Sequence, residues 1–166
     1  FVVVDEATCM VDLARFFMNF CASESCGKCP PCRIGTTLML DILIRITQGQ
    51  GEESDLEILE QMSDEIKTMS LCGLGQSAPN PVKSTLRYFK DEYIAHIRDK
   101  TCPTATCAAL HRYEVTSEKC TKCMACVRKC PVKAISGSTK EVAFIDKEKC
   151  IKCNLCYEKC NFMAIK

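Results

Sequence analysis

The sequence lacks an excess of charge of either sign: 22 Lys and Arg stand against 21 Asp and Glu, for a formal net charge of +1. Such a balance gives no reason to look for nucleic acid or an anionic membrane as partner. A long apolar run is missing too. The stretch LMLDILIRI at 38–46 is broken by Asp41 and Arg45, which excludes a membrane span there. The opening FVVVDEATCM has no initiator Met, basic n-region or small-residue cleavage site, and reads as a piece cut from, or ordered within, something larger. A cytoplasmic location is the expectation.

Cysteine is what the chain has in abundance, 16 among 166 residues. A secreted chain of this kind would be a disulfide framework, and a cytosolic one a metal protein. Spacing decides for metal. Frameworks scatter cysteines to tie distant loops, whereas here three fall at 26–32, four at 120–130 and four at 150–160.

Hydrophobic periodicity places the rest. Val2 to Val4 read as a terminal strand. Leu13, Phe16, Phe17 and Phe20 recur at helical spacing, and a second helix runs over about 34–48. Ser54 with Glu57 makes a capping box for a third helix with the stripe Leu59, Met62, Ile66 and Met69. Asn80-Pro81 opens a fourth, with Val82, Leu86, Phe89, Tyr93 and Ile97 on one face. These predict a small four-helix bundle. Beyond about residue 112 the texture changes. The segment EKCTKCMACVRKCPVKAI at 118–135 returns at 148–165 as EKCIKCNLCYEKCNFMAI, with all four cysteines in register. An internal duplication of strand, cysteine loop, short helix and returning strand predicts pseudo-two-fold symmetry. The fold class is therefore α+β: a bundle, then a ferredoxin-like (βαβ)2 domain.

Cys120, Cys123, Cys126 and Cys130-Pro131 follow C-x2-C-x2-C-x3-C-P, and Cys150, Cys153, Cys156 and Cys160 repeat it with Asn161 in place of the proline. Three cysteines at this spacing can wrap three corners of an iron–sulfur cubane, and the one after x3 leads away to the other cluster. One site is therefore Cys120, Cys123, Cys126 and Cys160; the other is Cys130, Cys150, Cys153 and Cys156. Paired structural zinc sites are the alternative, but those use two separated cysteine pairs. The interleaved lysines and Arg128 are read as compensation for cluster charge. This segment, over roughly residues 112–166, resembles the bacterial two-cluster ferredoxins.

The stretch ESCGKCPPCRIG at 24–35 supplies Cys26, Cys29 and Cys32 without a near fourth cysteine. The next is Cys72, in SLCGLGQSAPNPV, between the third and fourth expected helices. An antiparallel bundle can return Cys72 to Cys32, with Gly73 and Gly75 allowing close backbone approach. This gives a third cubane on Cys26, Cys29, Cys32 and Cys72. Both segments together resemble the NADH-oxidising flavoprotein subunit of respiratory complex I, over residues 1–97. That resemblance implies a cluster fed by a flavin mononucleotide reduced by NADH; no stretch of this sequence supplies the flavin domain's glycine-rich loops. It also makes residues 1–10 the end of a ubiquitin-like domain, before a bundle at 11–99 and a linker at 100–111. A ferredoxin fused at 112–166 resembles the diaphorase subunit of electron-bifurcating FeFe-hydrogenases and their NADP-reducing and formate-dehydrogenase relatives.

Cys102 and Cys107 lie in the linker, six and eleven residues after His96. A zinc site of three thiolates and one imidazole needs one more cysteine, and Cys9, just before the first helix, is the choice over His111; Cys21 is core. The resemblance to bifurcating enzymes implies such a site. The expected function is electron transfer between the missing flavin and other subunits: the hydrogenase catalytic subunit, a thioredoxin-like 2Fe–2S subunit, or soluble ferredoxin. Formate dehydrogenase and NADH dehydrogenase modules are alternatives, and a metal-held structural platform without redox role is a third class. No catalytic residue is expected in this chain.

Overall fold

The computed structural model describes residues 2–111 and 113–166. Phe1 and Arg112, where the expected ubiquitin-like remnant and ferredoxin segment begin, lie outside them. The chain divides into two units, Phe1–Leu110 and His111–Lys166.

In the first unit α1 spans Met10–Ser23, α2 Pro30–Thr47, α3 Ser54–Met69, α4 Gly73–Ser77, α5 Asn80–Tyr88 and α6 Lys90–Ile94. A π-helical turn, Ala95–Asp99, and a 3-10 turn, Ala108–Leu110, complete it. Local chemistry sets the starts. Cys9 caps α1, its Sγ accepting the Asp12 N–H at 3.5 Å. Pro30 and Pro31 open α2, where a missing N–H costs nothing, so that helix begins four residues before the expected 34. Gly49 at φ +77° ends it with the left-handed turn that favours glycine. The expected capping box at Ser54 does not form. Asp55 takes its place, accepting the Glu52 N–H at 2.9 Å and pairing, almost fully buried, with Arg45 of α2.

The buried core of this unit includes Val11, Ala14, Met18, Met39, Leu43, Ile46, Leu59, Ile66, Val82, Leu86 and Tyr93. Three expectations are corrected. α1 turns inward through Val11, Ala14 and Met18, while Phe16 and Phe20 remain 60% and 56% exposed. Its sequence is apolar on nearly every side, so periodicity does not choose a face; the small Ala14 lets α1 lie close on α2. The fourth helix is not continuous. Phe89, at φ −131° and ψ 34°, separates α5 from α6 and stays exposed. Val2 to Val4 are exposed and form no strand among the described residues.

In the second unit α7 spans Ala125–Lys129, β1 Ile135–Ser136, β2 Phe144–Ile145 and α8 Leu155–Lys159. β1 and β2 pair antiparallel with Ile135 opposite Ile145, and a single bridge joins Val115 to Ile165. Shifting 115 and 165 by thirty positions, in opposite directions, gives 145 and 135, so the two pairings are one motif used twice. The strands are shorter than the duplication suggested. The N–H of Thr116 donates to the Ala164 carbonyl at 2.7 Å, and that of Asp146 to Ala134 at 2.8 Å. Left-handed residues repeat in the same register: Lys122, Met124 and Lys133, then Lys152, Asn154 and Met163. Two copies adopting the same unusual backbone at six non-glycine positions shows that the cysteine loops impose it.

Candidate metal centres

In the second unit Cys120, Cys123 and Cys126 line one cavity of about 400 Å³ of empty space, open solvent at its mouth included, together with Cys160 of the other repeat. Cys150, Cys153 and Cys156 line a second, of about 300 Å³, together with Cys130. The helices explain the exchange. Each loop contributes its first two cysteines, its third lies in α7 or α8, and the fourth, just past that helix, reaches the other repeat's cavity.

The donors around these sulfurs suit an anionic cluster. The N–H of Ala134 points at Cys130 Sγ, and that of Ala164 at Cys160 Sγ, each at 3.3 Å. The Ala125 N–H holds the Cys123 thiol below its ordinary range, with Arg128 contributing to the same effect. Burial pushes the Cys126 and Cys156 thiols up. A left-handed residue on either side of Cys123 and of Cys153 bends the loops into the kind of N–H-lined concavity that binds anions. The residues present therefore fit two cubanes.

In the first unit Cys29 caps α2 and Cys32 lies in its first turn, both buried, while Cys72 caps α4. The bundle brings α2 against the 70–75 segment. The Leu71 N–H is the main influence holding the Cys29 thiol below its ordinary range. Ser25 Oγ lies 3.3 Å from Cys32 Sγ, and a Cβ added at Gly75 would meet Cys32 Cβ at 3.2 Å. Cys26 and Cys72 are exposed at the same end. Ser70 Oγ is buried there without a hydrogen-bond partner of normal geometry, but near enough to Cys29 to help lower its thiol. This donor set, three near cysteines with a fourth from the returning loop, also fits a cubane.

Cys9, His96, Cys102 and Cys107 come together as four buried side chains whose ligand atoms all lie within 4.8 Å of one another. His96 Nε2 stands 3.3 Å from Cys9 Sγ and 3.4 Å from Cys107 Sγ. Its Nδ1–H donates to the Glu92 carbonyl at 2.7 Å, which fixes the ring and turns Nε2 toward the sulfurs. Donation from Cys107, and then His96, holds the Cys9 thiol down at about 4 against burial. Burial works against the His96 charge, but Cys9 and the Glu92 carbonyl raise it to about 9. Bonding to Cys9 and burial push Cys107 up. Four soft or borderline donors at this separation suit one tetrahedral cation of the zinc type. His111 is not of the group; it packs edge-on against Tyr113 at 4.3 Å. Cys21 is half-buried, its thiol raised by burial and by Cys32.

Sequence reasoning did not find Ser70, the Glu92 carbonyl or the π turn. A π turn holds an extra residue, so His96 and Ile97, adjacent in sequence, both face inward. No residue pattern announces it.

The sequence profile described as the NADH-ubiquinone oxidoreductase-F iron–sulfur binding region matches residues 12–96, and that of the 4Fe–4S binding domain matches residues 113–136 and 143–166. Among curated proteins, the chain is 51% identical over 140 residues to the NADP-reducing hydrogenase subunit HndC of Solidesulfovibrio fructosivorans, covering 84% of this chain and 29% of that protein. It is 44% identical over 99 residues to an NADH-quinone oxidoreductase subunit of Streptomyces coelicolor, covering 60% of this chain and 22% of that one. Among solved structures, an NAD+-reducing NiFe-hydrogenase in the H2-reduced state superposes with a TM-score of 0.56 at 35% identity, over 58% of this chain and 17% of that one. The chain thus spans less than a third of the curated relatives it matches.

Proposed function

We propose, from the premise that the chain belongs to the NADH-ubiquinone oxidoreductase-F iron–sulfur binding family, that it is the iron–sulfur relay of an electron-bifurcating NAD(P)-linked hydrogenase. The observation that carries this reading is the pair of cavities, each lined by three cysteines of one repeat and the fourth of the other. A structural zinc pair would have no use for that exchange.

When bound, a 4Fe–4S cluster accepts and returns one electron at low potential. The chain's own residues fix where three such groups sit and how they are stabilised. Cys26, Cys29, Cys32 and Cys72 hold the bundle cluster, with the Leu71 amide and Ser70 hydroxyl as donors. Cys120, Cys123, Cys126 and Cys160 hold the second, and Cys130, Cys150, Cys153 and Cys156 the third, with the Ala134 and Ala164 amides on the crossing ligands. Cys9, His96, Cys102 and Cys107 hold a zinc ion that ties the start of α1 to the end of its unit. Flavin mononucleotide and NAD(P) bind in a preceding part of the enzyme. The partners are a hydrogenase catalytic subunit, a thioredoxin-like 2Fe–2S subunit and soluble ferredoxin, in the cytoplasm. The HndC similarity over both segments supports the hydrogenase class above a respiratory dehydrogenase, whose match covers 60% of the chain.

The test is anaerobic metal and sulfide analysis. It should return about twelve irons and twelve sulfides, four of each per cluster, and about one zinc. Eight irons would leave the 26–32 cysteines without a cluster, and four zincs without iron would overturn the relay.

A further inference from the structure

The two cysteine loops have the same backbone but different charge. From 116 to 128 the first carries Lys119, Lys122 and Arg128 against Glu118 alone. From 146 to 158 the second carries Lys147, Lys149 and Lys152 against Asp146, Glu148 and Glu158. Two lysines of the second loop are neutralised: Lys149 pairs with Asp146 of its own loop at 3.1 Å, and Lys147 with Glu114, from outside the loop, at 2.5 Å. In the first, Lys119 and Arg128 are exposed and make no ion pair among the described residues. The reversal at 128 and 158 is the sharpest difference. Arg128 reaches back over its loop to the Cys123 carbonyl at 3.4 Å, and Glu158 accepts from Asn154 of its own loop at 3.2 Å. The Arg128 head thus sits by the exposed Cys123, while the Glu158 head is held by the residue that follows the exposed Cys153.

Compensation of cluster charge does not explain this. Two clusters of one kind carry the same charge and ask for equal basicity at both loops, and although Arg128 also acts on Cys123, the surplus at the first loop leaves exposed positive charge available to a partner. Phe162, 48% exposed, lines the same cavity as Lys122 and Cys123, which adds an apolar contact to the cationic loop. An apolar contact with charges at its rim is the pattern of small, transient protein interfaces, where charge steers encounter and orientation. Phe162 is the one exposed aromatic at this face, and the segment Cys120–Cys130 adds none, so a stacking platform for successive nucleic-acid bases is lacking among these residues.

We propose that the Lys119–Arg128 loop is the docking face for an acidic electron-carrier protein, and that the symmetry-related loop is not. The proposal rests on the relay reading above.

The test is calorimetric titration of the cluster-loaded chain, with both proteins oxidised, using a purified acidic bacterial two-cluster ferredoxin as probe. Wild type should bind more weakly as salt rises. Arg128→Glu should lose at least threefold in affinity at low salt, while Glu158→Arg should lose none. If Arg128→Glu sheds its iron, Lys119→Glu tests the same face. No binding by wild type, a loss under threefold, an equal loss for Glu158→Arg, or equally tight and Arg128-dependent binding of a thymidine oligonucleotide would each overturn the docking face. Iron content and reversible bleaching, read on the same samples, report the relay separately. Clusters that load and reduce while binding ignores Arg128 would sink this proposal alone.

Discussion

Ser70 is buried to 4% exposure, and its hydroxyl has no partner of normal geometry, yet it lies near enough to Cys29 to help lower that thiol. A buried hydroxyl left unpaired costs free energy, and a thiolate or sulfide acceptor beside it removes the cost. Ser70→Ala should therefore keep its iron and lower the midpoint potential of the bundle cluster. One hydrogen bond is worth about 1 kcal/mol, on the order of 40 mV for a one-electron couple. EPR-monitored titration checks this, and an unmoved potential would take that role from Ser70. Gly75 is constrained by the same contact, since an added Cβ would lie 2.4 Å from Ser70 Oγ. Gly75→Ala should cost the bundle cluster, about four irons, and leave the tandem pair loaded. At this scale the clusters of three and four cysteines were legible in the sequence because their spacing is local, whereas Cys72 had to be sought in a distant segment. Ser70 was not, because a lone serine becomes a donor to a cluster only when folding buries it beside one.

At the scale of elements, the Cys9, His96, Cys102 and Cys107 group joins the cap of α1, the π turn and the loop after it. A cation there should add to the stability of the first unit alone. Chelation should lower that unit's melting temperature while iron content holds, which paired calorimetry and metal analysis can follow. The thiolates must be deprotonated to bind, so chelator-driven loss should quicken as pH falls and slow as it rises. His96→Ala should mimic chelation. Asp55→Ala should cost about 1–3 kcal/mol in denaturant unfolding, because one carboxylate both caps α3 and pairs with Arg45. The positions of α1, α3 and α5 could be read from periodicity and from Asn80-Pro81. The inward face of α1 could not, because its phenylalanines and methionines compete on every side. Nor could the break at Phe89, where a stripe continuing through Tyr93 and Ile97 hides a change of helix. Chain position alone suggested Cys9 as the companion of His96, and the two stand 3.3 Å apart, with the ring's orientation set by the π turn.

At the scale of the whole molecule, near-neutrality conceals segregation. Up to Leu110 there are ten Lys and Arg against fifteen Asp and Glu, and from His111 onward twelve against six. Composition summed over the chain could not show this; it follows once the fold divides the units. The duplication was the most legible feature, because thirty-residue register survives in cysteines, backbone angles and strand pairing alike. Its divergence at Arg128 and Glu158 gains meaning only when both side chains are seen over their loops. The claim that joins all of this is electron relay rather than metal-held shape. Its most direct measurement is an anaerobic coulometric reduction of the fully loaded chain, followed by EPR and then reoxidation. A relay predicts about three electrons per chain, one per cluster, taken up at low potential and returned on reoxidation. Uptake of none, with iron and fold intact, would make the clusters structural and contradict it.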